Sequence, residues 1–173
     1  MSKTSENLKA AFSGESQARN KYTFFAKVAR KEGYPYIARI FEETADNERQ
    51  HAKEHLALLG GIGDTAANLR AAIDGEDHEV ESMYPRFVKD AEEEGETKAA
   101  SAFRLVAKIE AHHRDRFRKL LAMVEAGTVY KRDTAIKWKC GKCGYIVEGT
   151  EPPQTCPSCH HPLQYFEPAN LDI

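Results

Sequence analysis

The chain has 173 residues, is 41% hydrophobic, and carries 25 basic and 27 acidic side chains for a formal net charge of −2. This length allows one core with a small appended module, and the near-neutral charge gives no indication of a nucleic-acid-binding or membrane-binding surface. The sequence lacks the roughly 18-residue apolar run of a membrane span, and its polar N-terminus lacks the apolar core of a signal peptide, so we expect a cytoplasmic protein.

Four helices are predicted from apolar residues that recur at helical spacing between glycine breaks. The segments are about 6–31, 35–59, 68–94 and 97–125. The first two and the last two are joined by short links, which favours two antiparallel hairpins. Pro85 is expected to kink the third helix. Beyond Gly127 the helical period ends and a separate module begins.

The two predicted hairpins repeat one another. Leu8–Glu15 aligns with Leu69–Glu76 at an offset of 61 residues. At an offset of 62, Gly33 aligns with Gly95, and the Glu-x-x-His motif at Glu48 aligns with the one at Glu110. The chain is therefore interpreted as a duplicated helical hairpin.

Acidic and imidazole side chains occupy matching positions in the two halves. Residues equally distant from the turn of an antiparallel hairpin lie at one height, and i, i+3 pairs share a helix face. The candidate ligands placed at one level are Glu15, Glu48, His51, Glu76, Glu79, Glu110 and His113. Clustered carboxylates in a bundle interior require cations, and this ligand set is typical of ferritin-like di-iron or di-manganese proteins. The residues alone favour iron or manganese.

Two Cys-x-x-Cys pairs lie in the C-terminal segment, at Cys140/Cys143 and Cys156/Cys159. Four thiolates on two such knuckles surround one tetrahedral ion, which predicts a metal site and not disulfides in a cytoplasmic protein. On spacing alone both zinc and iron fit. The expected small core of this module is Trp138, Tyr145, Val147, Leu163 and Phe166.

Four segments carry a family resemblance: AFSGESQARNKY from Ala11, ETADNERQHAK from Glu43, MYP from Met83 and WKCGKCGY from Trp138. They resemble rubrerythrins, and the similarity extends over essentially the whole chain. The resemblance implies a mainly α fold with a ferritin-like di-iron four-helix bundle over 1–130 and a rubredoxin-like Fe(Cys)4 domain over 138–173. It further implies a cytoplasmic peroxide reductase that protects against oxidative stress.

The same resemblance implies roles for individual residues. Glu48 and Glu110 would bridge the irons, Glu15 would be a terminal ligand of one, and Glu76 with His113 would complete the other. Glu79, which aligns with Ala18 in the first hairpin, and His51 occupy positions that exchange as ligands of one iron. Tyr22 and Tyr84 match tyrosines near the site.

The implied reaction is reduction of hydrogen peroxide to water at the two irons, with electrons returned one at a time through the Fe(Cys)4 centre. The implied partners are an external rubredoxin or NAD(P)H-dependent reductase and a second copy in a head-to-tail homodimer. Two other hypotheses remain at this stage. One is a ferritin-like ferroxidase for iron storage or detoxification, and the other is a zinc-stapled interaction protein without redox activity.

Overall fold

The computed structural model describes residues 2–170 and divides the chain into two compact units, Met1–Gly63 and Asp64–Ile173. The first unit is a helical hairpin. The second unit contains another helical hairpin followed by the cysteine module. Within 2–170, every helix is too short or too polar to cross a membrane.

The first hairpin consists of α1 (Lys3–Lys31) and α2 (Pro35–Leu58). The turn between them is a Schellman cap, in which Gly33 has a φ of 85° and the Tyr34 N–H donates to the Ala29 carbonyl at 2.8 Å. Pro35 starts α2, where its missing N–H costs no helical bond. Small side chains at the contact let the helices approach closely, and Ala26, Ala29 and Ala38 are buried there.

The second hairpin consists of α3 (Thr65–His78), a π-helical turn (Glu79–Met83), α4 (Tyr84–Glu93) and α5 (Thr97–Glu125). The Asp64 carboxylate caps α3 by accepting a hydrogen bond from the Ala67 N–H at 2.8 Å. Gly95, at a φ of 76°, closes the turn before α5 with the same Schellman pattern as Gly33.

The structure confirms the internal repeat through contacts that recur at an offset of 62 residues. Tyr22, Phe25 and Phe41 form one aromatic cluster, and their counterparts Tyr84, Phe87 and Phe103 form another, with ring centroids 5.5–6.4 Å apart. The buried Ala29 and Ala38 are likewise matched by the buried Ala91 and Ala100. Both hairpins therefore use one packing scheme.

One ion pair recurs with its charges exchanged. Arg30 on α1 pairs with Glu42 on α2, and at the aligned positions Glu92 on α4 pairs with Arg104 on α5. The position of the pair relative to the turn is the same in both hairpins. Opposite charges thus face each other at this site in both hairpins, although the helix that carries the positive charge differs.

The π-helical turn accounts for the change of offset from 61 to 62. A π turn accommodates one extra residue within a continuous helix, and here the Tyr84 N–H donates to the Glu79 carbonyl five residues back. Pro85, expected to kink the third helix, follows this turn directly, at the start of α4. The added residue of the second hairpin therefore lies between Glu76 and Tyr84.

The cysteine module is built on an antiparallel three-stranded sheet with the order β2-β1-β3, from β1 (Ile136–Cys140), β2 (Ile146–Gly149) and β3 (Phe166–Pro168). Its core contains the fully buried Trp138, whose indole N–H donates to the Gly149 carbonyl at 3.0 Å, together with Phe166, Cys140 and Cys156. Val147 packs against this cluster. The prediction of Tyr145 as a core residue is wrong, because its ring is 37% exposed just before β2.

Candidate metal centres

The first hairpin brings Glu15, Glu48 and His51 together. One donor atom from each lies within 4.8 Å of the other two. Glu48 Oε2 is 2.9 Å from His51 Nδ1, which fixes the imidazole beside the carboxylate. The Glu48 side chain is 17% exposed and that of His51 52% exposed. We call these three residues the α1–α2 ligand set.

The second hairpin brings together Glu76, Glu110 and His113, the aligned residues, with the same 4.8 Å limit between donor atoms. Glu110 Oε2 lies 2.7 Å from His113 Nδ1, and Glu76 Oε1 lies 3.8 Å from that nitrogen. We call these residues the α3–α5 ligand set. The duplication predicted from sequence therefore reproduces the same donor geometry twice.

Glu79 and Tyr84 lie close to the α3–α5 ligand set, although Glu79 is not one of its three members. Burial raises the pKa of Tyr84, and the carboxylates of Glu79, Glu110 and Glu76 raise it further, which places its phenol close to all three. Tyr22 holds the aligned position in the first hairpin, in ring contact with Phe25 and Phe41. The Tyr84 phenol therefore lies beside the carboxylates with a pKa above its ordinary value.

The electrostatics of the α3–α5 ligand set fit a cation. Burial raises the pKa of Glu76, and the neighbouring Glu110 carboxylate raises it further. Among these side chains, only His113 lowers the pKa of Glu76. A bound cation reduces the repulsion between closely spaced carboxylates. Mixed carboxylate and imidazole donors suit iron or manganese.

The four cysteine sulfurs form the third centre. Cys140 Sγ lies 3.8 Å from Cys159 Sγ, and Cys143 Sγ lies 3.7 Å from Cys156 Sγ. These distances exclude disulfides, whose sulfurs lie about 2 Å apart. A tetrahedral ion with metal–sulfur bonds of about 2.3 Å requires sulfur–sulfur edges of about 3.8 Å. The cage therefore has the dimensions of a tetrathiolate metal site.

The two knuckles of the cage use the same backbone geometry with different residues. Gly144 at a φ of 79° donates its N–H to the Cys140 carbonyl, and His160 at a φ of 58° donates its N–H to the Cys156 carbonyl. The backbone N–H of Tyr145 helps to lower the pKa of Cys143 to about 7. The left-handed position of His160 was not predicted, although its alignment with Gly144 was the available signal.

The other histidines near the motifs are outside the two ligand sets. His112 Nε2 accepts a hydrogen bond from Arg116 at 3.1 Å, which occupies it on the surface of α5. His55, one turn beyond His51, is half-buried, and its Nδ1 has no hydrogen-bond partner in the described part of the chain. The three ligand clusters therefore contain only residues that the sequence had singled out.

Two Glu/Glu/His sets on duplicated helical hairpins and one tetrathiolate cage define the class: a ferritin-like non-haem iron protein with a rubredoxin-like module. A family model described as rubrerythrin matches residues 6–121, and one described as the rubrerythrin rubredoxin-like domain matches residues 138–167. The chain belongs to the rubrerythrin family.

Named relatives agree over nearly the whole chain. A rubrerythrin of Porphyromonas gingivalis is 49% identical, covering 96% of this chain and 90% of the relative. Rubrerythrin-1 of Clostridium acetobutylicum is 47% identical, covering 95% and 93%. A solved structure of partially reduced nigerythrin is 36% identical, covering 97% of this chain and 87% of that one, with a TM-score of 0.38.

Family membership confirms the predicted fold class and cofactors. The chain is mainly helical and ferritin-like, with a small C-terminal rubredoxin-like module. The family's di-iron site and four-cysteine iron site match the donor sets described above. The chain is accordingly an iron-binding protein of an oxidoreductase family.

Proposed function

We propose that this protein reduces hydrogen peroxide to water at a di-iron centre and is re-reduced through the iron of its cysteine cage. The observation that supports the proposal most strongly is the presence in one chain of two matched Glu/Glu/His sets and a tetrathiolate cage. The first arrangement suits a two-electron reaction at two metals, and the second suits one-electron transfer. When bound, two ferrous ions supply the two electrons that reduce hydrogen peroxide, with two protons, to two molecules of water.

In this proposal the chain's own residues position the metals and move protons. Glu48 and Glu110 would hold both ions, Glu15 would hold one, and Glu76 with His113 would hold the other. His51 and Glu79 would alternate as ligands between oxidation states. The short Nδ1–Oε2 separations of His51 from Glu48 and of His113 from Glu110, 2.9 and 2.7 Å, support a ligand role because donor atoms of one metal ion must converge in this way.

Tyr22 and Tyr84 are proposed to hydrogen-bond the reacting oxygen atoms or their carboxylate neighbours. The raised pKa of Tyr84 keeps its phenol protonated, so it can donate a proton while the surrounding carboxylates accept one. Tyr22 is expected to act in the same way at the aligned position. Both rings are held by two phenylalanines, which limits their motion.

The proposed electron path enters at the rubredoxin-like domain, residues 138–173, and reaches the ferritin-like domain, residues 1–130. A rubredoxin or an NAD(P)H-dependent reductase in the cytoplasm supplies the electrons. We further propose a head-to-tail homodimer, which sets the cysteine cage of one subunit beside the di-iron centre of its partner. Each peroxide consumes two electrons, delivered in two separate transfers.

The visible spectrum of the purified iron-loaded protein tests the proposal. We expect a red thiolate-to-iron absorption that a reductant bleaches and that hydrogen peroxide restores with the stoichiometry of one peroxide per two electrons. A colourless protein with zinc in the cage would instead support the stapled interaction protein. Mineral-filled shells in size-exclusion chromatography would support iron storage.

The variant Glu79→Ala tests the ligand exchange separately. It removes the candidate that lies outside the duplicated set, so the six remaining ligands should still assemble two irons. We expect iron content within the error of the wild type and a peroxide turnover lowered by about tenfold or more, as for loss of a positioned catalytic group. An unchanged turnover would contradict the exchange of Glu79 with His51.

A further inference from the structure

A group of ion pairs joins α3 to α5 beside the α3–α5 ligand set. Asp77 directly follows Glu76 on α3, and Arg118 Nη2 on α5 donates to both of its carboxylate oxygens, at 2.8 and 2.7 Å. Arg114, which directly follows His113 on α5, donates a further hydrogen bond to Asp77 at 3.4 Å. We call Asp77, Arg114 and Arg118 the Asp77 cluster.

The Asp77 cluster is better shielded from water than the other ion pair between these two helices. The side chains of Asp77 and Arg114 are 26% and 18% exposed, and that of Arg118 is about half exposed. In the Arg70–Glu125 pair, which also joins α3 to α5, both side chains are at least half exposed. Attraction between charges is screened less where less water reaches them. A carboxylate between two guanidinium groups in such a place has little freedom to move.

Asp115 balances the second positive charge of the Asp77 cluster. Its carboxylate accepts a hydrogen bond from Arg114 Nε at 3.0 Å and lies 3.8 Å from Arg118 Nη1. The hydrogen bond from Arg114 lowers the pKa of Asp115, which favours the charged carboxylate. Two acids and two bases thus form a neutral set, in which each guanidinium group lies beside two carboxylates.

The first hairpin has uncharged side chains at the positions aligned with the Asp77 cluster. These residues are Ser16, Ala52 and Leu56. The Ser16 hydroxyl donates to the Phe12 carbonyl of its own helix at 2.6 Å. An ion pair between the two helices therefore cannot form at these positions of the first hairpin, although the ligands beside them are the same in both hairpins.

The distances within the α3–α5 ligand set depend on how its two helices are spaced. Glu76 is on α3 and His113 is on α5, with 3.8 Å between Glu76 Oε1 and His113 Nδ1. Metal–ligand distances in proteins vary by only about 0.2 Å, so a small shift of one helix separates these donors from a shared ion. Because Asp77 and Arg114 are chain neighbours of the two ligands, their contact limits such a shift at the height of the metal.

We propose that Asp77 is a positioning residue, which holds α3 against α5 through Arg118 and Arg114 so that Glu76 and His113 converge on one iron ion. Asp77 does not bind the metal in this proposal, because two guanidinium groups engage its oxygens. The inference concerns how iron is held and does not depend on the proposed peroxide reduction, so its test needs no turnover. The competing explanation is that the cluster only strengthens the helix pair.

The test uses the iron-loaded full-length protein and two variants of the Asp77 cluster. Asp77→Asn removes the negative charge with almost no change of shape, and Arg118→Leu introduces the residue of the first hairpin. Arg70→Leu is the matched control, because it removes the other ion pair between α3 and α5. Arg70 lies six residues from Glu76, about 9 Å along the helix.

The first measurement is the rate at which the dithionite-reduced protein loses ferrous ions to a coloured chelator, with the iron of the cysteine cage followed separately by its thiolate-to-iron absorption. We expect Asp77→Asn and Arg118→Leu to release one iron of the di-iron centre about tenfold or more faster than the wild type, as for loss of a residue that orients metal ligands. The control Arg70→Leu should stay within about twofold. Release as slow as in the control would overturn the proposal, and so would equally fast release from all three variants.

The second measurement is the Mössbauer spectrum of the reduced protein loaded with ⁵⁷Fe, which a role in helix pairing alone would not change. We expect one ferrous doublet of the di-iron centre to broaden in both cluster variants and neither doublet to broaden in the control. Unchanged line widths in the cluster variants would overturn the proposal. Circular dichroism reports the helical content of each variant, and the isosteric Asp77→Asn carries the test where Arg118→Leu does not fold.

Discussion

The exchanged ion pair allows a direct test of how the duplicated hairpin is stabilised. Arg30→Glu places a carboxylate opposite Glu42, and Glu42→Arg places a second guanidinium opposite Arg30. The double variant recreates, in the first hairpin, the arrangement of Glu92 and Arg104 in the second. We expect each single substitution to destabilise the protein and the double substitution to restore its stability.

The size of the expected destabilisation follows from the solvent exposure of the two side chains. The side chains of Arg30 and Glu42 are 56% and 51% exposed, and such pairs contribute about 0.2–1 kcal/mol. Each single variant loses this attraction and gains a repulsion of similar size, for a cost of about 1 kcal/mol. In a chain of 173 residues this corresponds to a lowering of the Tm by about 2–4 °C.

Thermal unfolding of the four proteins, followed by far-ultraviolet circular dichroism at 20 mM and 1 M NaCl, measures the coupling. At low salt we expect the double variant to unfold within about 1 °C of the wild type, and at high salt we expect the singles to recover most of their loss. Arg30→Gln is the control that removes the attraction without adding repulsion. A double variant as unstable as the sum of the singles would refute the exchange of charges as the reason for the pattern.

Three further predictions concern the knuckle, the core of the module and the π turn. His160→Gly removes the strain of a side chain in a left-handed backbone conformation and should stabilise the metal-loaded module by about 0.5–1 kcal/mol. The thiolate-to-iron absorption band should then be lost more slowly to a chelator, and faster loss would contradict the prediction. Trp138→Phe removes the hydrogen bond to the part-buried Gly149 carbonyl at a cost of about 0.5–1.5 kcal/mol, so the same band should be lost at lower temperature, and an unchanged transition would count against this role. Deletion of Val80 should preserve folding and iron content, because the first hairpin closes without an equivalent residue. Deletion of Lys21 should instead rotate Glu15 by about 100° about the helix axis and lower the iron content. Iron analysis that shows the same loss in both variants would disprove this argument about helical register.

The sequence predicted the helices well because their glycine caps and apolar periodicity are local signals. The bounds of α5 agree with the prediction, and those of the other helices differ by a few residues at the ends. The ligand sets could be predicted because a repeated Glu-x-x-His with a matched glutamate constrains both face and height. These signals depend only on spacing along a helix, which the sequence states directly.

Other features depend on contacts between helices and could not be predicted in this way. The shift of offset from 61 to 62 was visible in the sequence and fell within the predicted helix 68–94, but the π-helical turn that accommodates it was not predicted. A groove between α1 and α2 was also missed, because three of its lining residues, Arg19, Arg49 and Lys53, appear in sequence as ordinary exposed charges on two helices. Only the packing of α1 on α2 brings them around one apolar floor.

The two hairpins thus differ in what the duplication retained. The ligand positions keep their identities, because a carboxylate or imidazole that binds a metal cannot be replaced by its opposite. The ion pair beside the turn keeps only its complementarity, because an attraction between the two helices forms with either sign on either helix.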